Sequence, residues 1–135
     1  MATNIFVNLP VKSLEKTKEF FTKLGYTFNQ QFTDDKAACL IISENIYAML
    51  ITESFFKTFI PNNEISDTAK TKEVLIALSA DNRQTVDELA HKAVAAGGKN
   101  YRDAEDHGFM YSRSFEDLDG HVWEVFWMDP AHIQQ

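Results

Sequence analysis

The chain alternates short apolar runs with two longer segments in which apolar residues recur at helical spacing. The runs predict strands at 4–9, 26–32, 37–42 and 47–52, then at 73–79, 109–115 and 121–127, with a weaker one at 100–102. The first helix is expected to be capped by Ser13 and ended by Gly25, and the second to be capped by Asp81 with Gln84 and ended by Gly97-Gly98. Each half of the chain therefore follows the order strand, helix, strand, strand, strand.

This order is an internal repeat. Leu9 and Leu78 occupy equivalent places, as do Gly25 and Gly97, with a shift of roughly 70 residues. Neither half can bury its helix stripe and its strand faces alone, so we expect an α+β fold. The two βαβββ modules would form one domain, residues 1–135, curved around a shared cavity. We place module one at about 1–53 and module two at about 73–130, and cavities between repeated units are common ligand sites.

The connecting segment 54–72 is rich in turn-forming residues, yet its first part carries Phe55, Phe56, Phe59 and Ile60. These side chains need burial. Two interpretations stay open: a loop folded back on its own core, or a lid over a pocket or contact with a second subunit.

The segment Arg113 to Pro130 predicts a hairpin, because two alternating apolar runs flank the turn-forming pair Asp119-Gly120. On its second arm Glu124 shares one strand face with Val122 and Phe126. A carboxylate among apolar side chains must meet a cation, a hydrogen-bond donor, a proton or water. Glu124 is thus the best single candidate for a site, and the alternative is an edge-strand glutamate that faces solvent.

Charge and cysteine content narrow the classes of function. Lys and Arg number 13 against 20 acidic residues, a formal charge of -7, and no basic cluster interrupts this balance. Nucleic acids and anionic membranes are therefore not expected as partners. Cys39 is the single cysteine and lies in an apolar run, which predicts a core residue rather than a redox group. We see neither a secretory signal nor an apolar stretch of the roughly 18 residues needed to span a bilayer, so we expect a cytoplasmic protein.

Three stretches resemble one known family: VNLPVKSLEKTKEFFTKLGY at the start, IALSADN in the second half and FEDLDGHVWEVFW near the end. With the βαβββ duplication, they are similar to the vicinal oxygen chelate superfamily, which includes glyoxalase I, bleomycin-resistance proteins, fosfomycin-resistance enzymes and extradiol dioxygenases. The resemblance implies a cavity enclosed by the two modules and a homodimer.

Metal-dependent members of that family use four strand positions, two in each module, to bind a divalent ion. The resemblance carries the last of these onto Glu124. The other three fall at about Phe6, at Leu50 or Ile51, and at about Leu75, and none of these can bind a metal. A divalent metal is therefore not expected as a cofactor. The histidines do not form a known ligand spacing, and only His107, beside Glu105 and Asp106, is kept as a reserve candidate.

What remains is a cavity with aromatic and polar walls. We expect it to be lined by Phe6, Tyr47, Met49, Tyr111, Arg113, Glu124 and Phe126. Arg113 is the leading internal partner for Glu124, since both lie on one hairpin, although their registers differ by about two residues. The resulting hypothesis is a bleomycin-resistance-like protein that binds a small aromatic or amphipathic molecule without metal. The alternative is a glyoxalase- or dioxygenase-type lyase or oxidoreductase with an atypical metal site.

Overall fold

The computed structural model describes residues 2–132 and contains two mixed sheets, each with its own helix. The chain divides into two units, Met1–Ser66 and Asp67–Gln135. The predicted α+β fold of two βαβββ modules is confirmed. In the part of the chain that is described, no helix is long and apolar enough to cross a membrane.

The first unit holds a four-stranded sheet in the order β1-β4-β3-β2. Its elements are β1 Ile5–Val11, α1 Leu14–Lys23, β2 Thr27–Asn29, β3 Ala37–Ser43 and β4 Ile46–Thr52. β1 and β4 run parallel, as a helical crossover requires, and the other pairs are antiparallel. The predicted cap is present: Ser13 Oγ accepts the backbone N–H of Lys16 at 3.2 Å. Phe20 and Phe21 on α1 are fully buried, so the helix supplies the core of this unit.

The second unit repeats this plan in the order β5-β9-β8-β6. Its elements are β5 Leu75–Ser79, α3 Arg83–Ala95, β6 Lys99–Asn100, β7 Glu105–Asp106, β8 Met110–Glu116 and β9 Val122–Met128. The predicted cap is off by one residue, because Asn82 rather than Asp81 accepts the backbone N–H of Thr85. The weak strand predicted at 100–102 is present but shorter and one residue earlier, as β6, and Tyr101 N–H still donates to the carbonyl of Ser114 at 3.3 Å. β6 and β7 are two short strands that both pair with β8, and residues 101–104 lie between them.

The connecting segment is partly helical. It contains α2, Glu53–Phe56, and a 3-10 turn, Lys57–Phe59. Phe55 and Phe59 pack edge to face with ring centroids 5.0 Å apart. Phe59 nevertheless remains 61% exposed, so the aromatic cluster is not fully buried against its own unit.

The hairpin between β8 and β9 is confirmed, but its turn is wider than the Asp119-Gly120 pair predicts. Five residues separate the strands, and the buried carboxylate of Asp117 organises them. Its Oδ1 accepts the N–H groups of Asp119 at 2.9 Å and His121 at 3.0 Å, and its Oδ2 accepts the indole N–H of Trp123 at 2.9 Å. Burial raises the pKa of Asp117, while these donors oppose that shift. The carboxylate therefore fixes the turn from which the Glu124 strand begins.

The segment after Ser66 holds this turn from outside. Thr68 Oγ1 donates to the carbonyl of Asp119 at 2.6 Å, and Lys72 Nζ donates to Glu116 Oε1 and to the Gly120 carbonyl, each at 2.7 Å. Gly120 has a φ of +78°, and an added Cβ would lie 2.5 Å from Thr68 Oγ1. Only glycine satisfies both the backbone angle and this close approach.

Candidate functional site

The second sheet has one face covered by α3 and one face without a helix, which we call the open face. Phe115, Trp123 and Val125 are buried on the α3 face, together with the helix residues Val86 and Ala90. Because strand side chains alternate, the neighbouring residues Ser114 and Glu124 point to the open face.

The open face centres on Glu124. Register places Ala77 of β5 and Ser114 of β8 on either side of it. Leu75 and Phe126 lie on the same face, two residues away along their strands. The open face thus holds Glu124 among apolar side chains and small hydroxyls, and it also carries Glu105 and Glu116, which lie opposite Ser112 and Val122.

Glu124 meets an internal cation, as its apolar setting predicts, but the partner is Arg102. Arg102 Nη2 donates to Glu124 Oε1 at 2.5 Å, and Arg102 Nη1 lies 3.7 Å from Glu105 Oε1. Arg102 belongs to the segment 101–104 that interrupts the edge strand, so its backbone is free of regular pairing there. To reach β9 from this edge, its side chain must pass over β8, where Ser114 lies.

The prediction that Arg113 pairs with Glu124 is wrong, and Arg113 does not line the open face. Arg113 lies opposite Val125 in the sheet, so it points to the α3 face. There its Nη1 donates to Asp87 Oδ1 at 3.2 Å and lies 3.1 Å from His91 Nε2. The observed register differs by one residue rather than the two expected from the sequence, since Glu124 lies opposite Ser114, and an offset of one places the two side chains on opposite faces.

The prediction that Tyr111 lines the cavity needs the same correction as that for Arg113. Tyr111 shares the α3 face with Arg113, and its hydroxyl donates to Asp87 Oδ1 at 2.6 Å. This hydrogen bond lowers the pKa of Asp87 and raises the pKa of Tyr111. Both residues therefore join β8 to α3 and are not ligand-contact residues of the open face.

Ser114 adds an unusual feature to the open face. Its side chain is buried, with 2% of the residue exposed, and its Oγ is the buried side-chain polar atom that lacks a hydrogen-bond partner within residues 2–132. A buried hydroxyl without a partner costs about 1–3 kcal/mol, so such groups need an explanation.

Three predicted candidates lie on the first sheet, where Phe6, Tyr47 and Met49 share one face. Phe6 and Tyr47 stack with ring centroids 4.8 Å apart, and Phe6 is 44% exposed. Leu50, one of the two residues considered for a metal-ligand position, is fully buried on the opposite face. Ile51 is on the same face as Met49 but carries no ligand atom.

The residues around Glu124 do not fit a divalent metal. Its neighbours Leu75, Ala77 and Phe126 offer no ligand atoms, and Ser114 offers only a buried hydroxyl. The guanidinium of Arg102 already stands against the Glu124 carboxylate and lies beside the next one, Glu105. Within residues 2–132, no group of three or more His, Cys, Asp or Glu side chains could hold a metal ion. His107, the reserve candidate, has Nε2 3.5 Å from Glu105 Oε2 and lies apart from Glu124 along the sheet edge.

Two further features escaped the sequence. A pocket of about 300 Å³ opens where the edge strand is interrupted, and it is lined by Asn100, Tyr101, Arg102, Asp103, Ala104 and Arg113. On the α3 side, Arg83 donates to both carboxylate oxygens of Asp106, at 2.8 and 2.9 Å, and this pairing lowers the pKa of Asp106 to about 2. The hydrogen-bonded partners of Arg83 and Arg102, Asp106 and Glu124, lie more than 20 positions away in sequence, so neither pairing has a local sequence signal.

Comparisons with known proteins agree with this architecture. A hypothetical protein of S. aureus has 27% identity with the chain, with 94% of each chain covered and a TM-score of 0.79. A glyoxalase/bleomycin resistance protein/dioxygenase family enzyme from Burkholderia phytofirmans has 15% identity over 94% of this chain and 99% of its own, also with a TM-score of 0.79. A genomically encoded fosfomycin resistance protein from Listeria monocytogenes has 18% identity, coverage of 94% and 93%, and a TM-score of 0.67.

The sequence itself identifies the family. No curated protein matches the chain. Residues 5–125, however, match the family model of the Glyoxalase/Bleomycin resistance protein/Dioxygenase superfamily. The match spans both βαβββ modules and ends just past Glu124, and the chain therefore belongs to this superfamily.

Proposed function

We propose that this protein binds a small aromatic or amphipathic molecule against the open face of the second sheet, without a metal. The observation that carries the proposal is the Arg102–Glu124 ion pair, which places a guanidinium where the metal-dependent members of the family would need an open ligand. Leu75, at another of the implied positions and on the same sheet, supplies apolar contact area in place of a metal ligand.

The composition of the open face supports a ligand with an apolar body. Leu75 is 51% exposed, and Phe126 and Met128 are half-buried, so apolar surface borders the polar centre at Glu124. Binding sites for small molecules usually combine such an apolar surface with a few polar groups that fix the orientation of the ligand. Phe6, Tyr47 and Met49 form a surface of similar character on the first sheet, which we propose as a contact surface of its own unit.

Thermal stabilisation by a panel of aromatic compounds tests the proposal. A compound that binds the open face should raise the melting temperature of wild type, and Phe126→Ala should abolish that rise. Phe32→Ala is the matched control, because Phe32 is 53% exposed and lies outside both sheets. A panel that stabilises neither protein, or that stabilises Phe126→Ala as strongly as wild type, would contradict the proposal.

Metal analysis separates this function from the enzymatic alternative. Protein purified without chelators should contain no stoichiometric zinc, nickel, manganese or iron. A stoichiometric metal that is lost in Glu124→Gln would instead establish an atypical metal site and favour a lyase or dioxygenase reaction.

We further propose a cytoplasmic homodimer. β1 and β5 are edge strands of their sheets, and Ile5 and Leu75 on them are 53% and 51% exposed. Exposed apolar edge strands favour pairing with another chain, and a second copy is the simplest partner. Light scattering after size exclusion should give twice the monomer mass of 15.4 kDa, and a monomer would contradict the proposal.

A further inference from the structure

We propose that the hairpin turn between β8 and β9 contains a binding site for a primary ammonium group. Lys72 fills this site as a tethered ligand and thereby closes the segment 67–72, which we call the strap, over the turn. The site lies in a part of the second unit that the proposed function does not use.

The hydrogen bonds of Lys72 match those that a primary ammonium can make. Such a group has three N–H donors. Lys72 Nζ donates to three oxygen atoms: the Thr68 carbonyl at 2.6 Å, and Glu116 Oε1 and the Gly120 carbonyl at 2.7 Å each. The ring of Tyr101 has its centroid 5.5 Å from the same nitrogen, close enough to attract a cation. Because the Lys72 side chain is only 21% exposed, these contacts replace much of the water around the ammonium.

The hairpin holds two of these three acceptors in place without help from Lys72. Glu116 is the last residue of β8 and pairs with Val122 of β9. Gly120 lies in the turn, where its N–H donates to the Asp117 carbonyl at 3.2 Å. Acceptors that the hairpin backbone positions should remain when their occupant is removed, so the site should then accept a free primary ammonium ion.

The strap is a compact turn of its own. The N–H groups of Lys70 and Thr71 both donate to the Asp67 carbonyl at 3.0 Å. Besides Lys72, Thr68 fastens the strap to the hairpin through a hydrogen bond to a carbonyl of the turn. A short segment that depends on a few side-chain contacts can open locally. Loss of the ammonium should therefore release the strap while the sheet stays folded.

Chemical rescue of Lys72→Ala tests the inference. The part of the side chain that this substitution removes is a propylammonium group. The variant should melt about 5 °C below wild type, and propylammonium chloride at about 100 mM should restore at least about half of this loss. Tetramethylammonium chloride at the same concentration has the same charge but no N–H donor, so it should restore nothing. Wild type should respond equally to the two salts, because its site is filled.

Two matched variants control the experiment. Lys70→Ala, at an exposed lysine of the strap, should melt within about 2 °C of wild type and should respond equally to the two salts. Lys72→Ala combined with Glu116→Gln lacks the charged acceptor and should lose most of the rescue by propylammonium.

Amide NMR locates the rescue in the molecule. In Lys72→Ala, titration with propylammonium should shift the signals of residues 67–72 and 117–121 until they saturate. Order parameters of the Lys70 and Thr71 amides should fall to about 0.6 or below in the variant, as expected of a flexible segment, and should recover with propylammonium.

Four results would overturn the inference: a melting temperature of Lys72→Ala equal to that of Lys70→Ala, equal rescue by tetramethylammonium, rescue that survives Glu116→Gln unchanged, or signal shifts confined to other residues. If Lys72→Ala does not fold in buffer alone, refolding in propylammonium but not in tetramethylammonium supports the inference. Failure to refold in both salts, or equal refolding in both, overturns it.

Discussion

Replacing Asp117 should measure how strongly the hairpin turn depends on one buried carboxylate. Alanine removes three hydrogen bonds, from the N–H groups of Asp119 and His121 and from the indole of Trp123. Bonds to a charged acceptor are worth about 1.5–3 kcal/mol each, but the cost of burying the charge also disappears, so we expect a net loss of about 3 kcal/mol. Asn keeps an oxygen for the two backbone donors and loses the third bond, so Asp117→Asn should cost about 1.5 kcal/mol.

Urea unfolding at pH 7 gives these free energies directly. In a thermal scan the same losses correspond to decreases in melting temperature of about 12 °C and 6 °C for a domain of this size. Asp35→Asn, at an exposed position of the first unit, is the control and should change stability by less than about 0.5 kcal/mol. If Asp117→Ala costs no more than this control, or less than Asp117→Asn, the carboxylate does not organise the turn.

Three further measurements follow from the second unit. Gly120→Ala should cost at least about 1 kcal/mol more than Gly25→Ala in urea unfolding, because both positions have positive φ but only Gly120 also meets a side chain at 2.5 Å; equal costs would refute the close contact. Arg83 lowers the pKa of Asp106 in the folded protein to about 2, below its value of 3.8 in the unfolded chain. The ionised Asp106 therefore stabilises the folded protein fully above pH 3.8, and this stabilisation is lost as the pH falls through 2. The stability gap between wild type and Asp106→Asn should therefore close between these pH values, and a gap independent of pH would contradict the assignment. Ser114→Ala should stabilise the ligand-free protein by about 1–3 kcal/mol, since it removes a buried hydroxyl without a partner in the described chain; a loss of stability would reveal an internal hydrogen bond.

The fold was predictable because each local signal agrees with the global repeat. Ser13 and Gly25 delimit α1 as expected, and the apolar stripe of the helix includes Phe20 and Phe21, which are buried. The errors fall where local signals compete. Asp81 and Asn82 are both good caps, and only the backbone geometry selects Asn82.

The hairpin turn was likewise only partly predictable from local sequence signals. Asp119-Gly120 is a strong turn signal, and the turn does contain Gly120 at positive φ. The width of the turn, however, depends on Asp117, whose carboxylate accepts the backbone N–H of Asp119 within the pair and that of His121 just after it. Side-chain acceptors that replace strand pairing are not visible in a pattern of apolar and polar positions.

The candidate site was only half predictable, for a reason that lies in the edge strand. The alternation of apolar residues along β9 predicts the face on which Glu124 lies. Because an isolated charge in an apolar setting is unfavourable, it also predicts that Glu124 has a partner. The nearest cation in sequence is Arg113, but period-two alternation with the observed register turns it toward α3, where Asp87 accepts from it. The true partner, Arg102, lies in the segment between β6 and β7 that interrupts the edge strand.

An interruption of this kind changes what a conserved framework of strands can bind. A regular edge strand would pair with β8 throughout and would project alternate side chains away from the sheet face. The interruption instead lets a long side chain reach across β8 and place its guanidinium on the β9 carboxylate, beside Glu105. The charge that a metal would supply to Glu124 is thus supplied by the chain itself. Because that cation is tethered, it is a fixed part of the site, and its remaining N–H groups are directional donors.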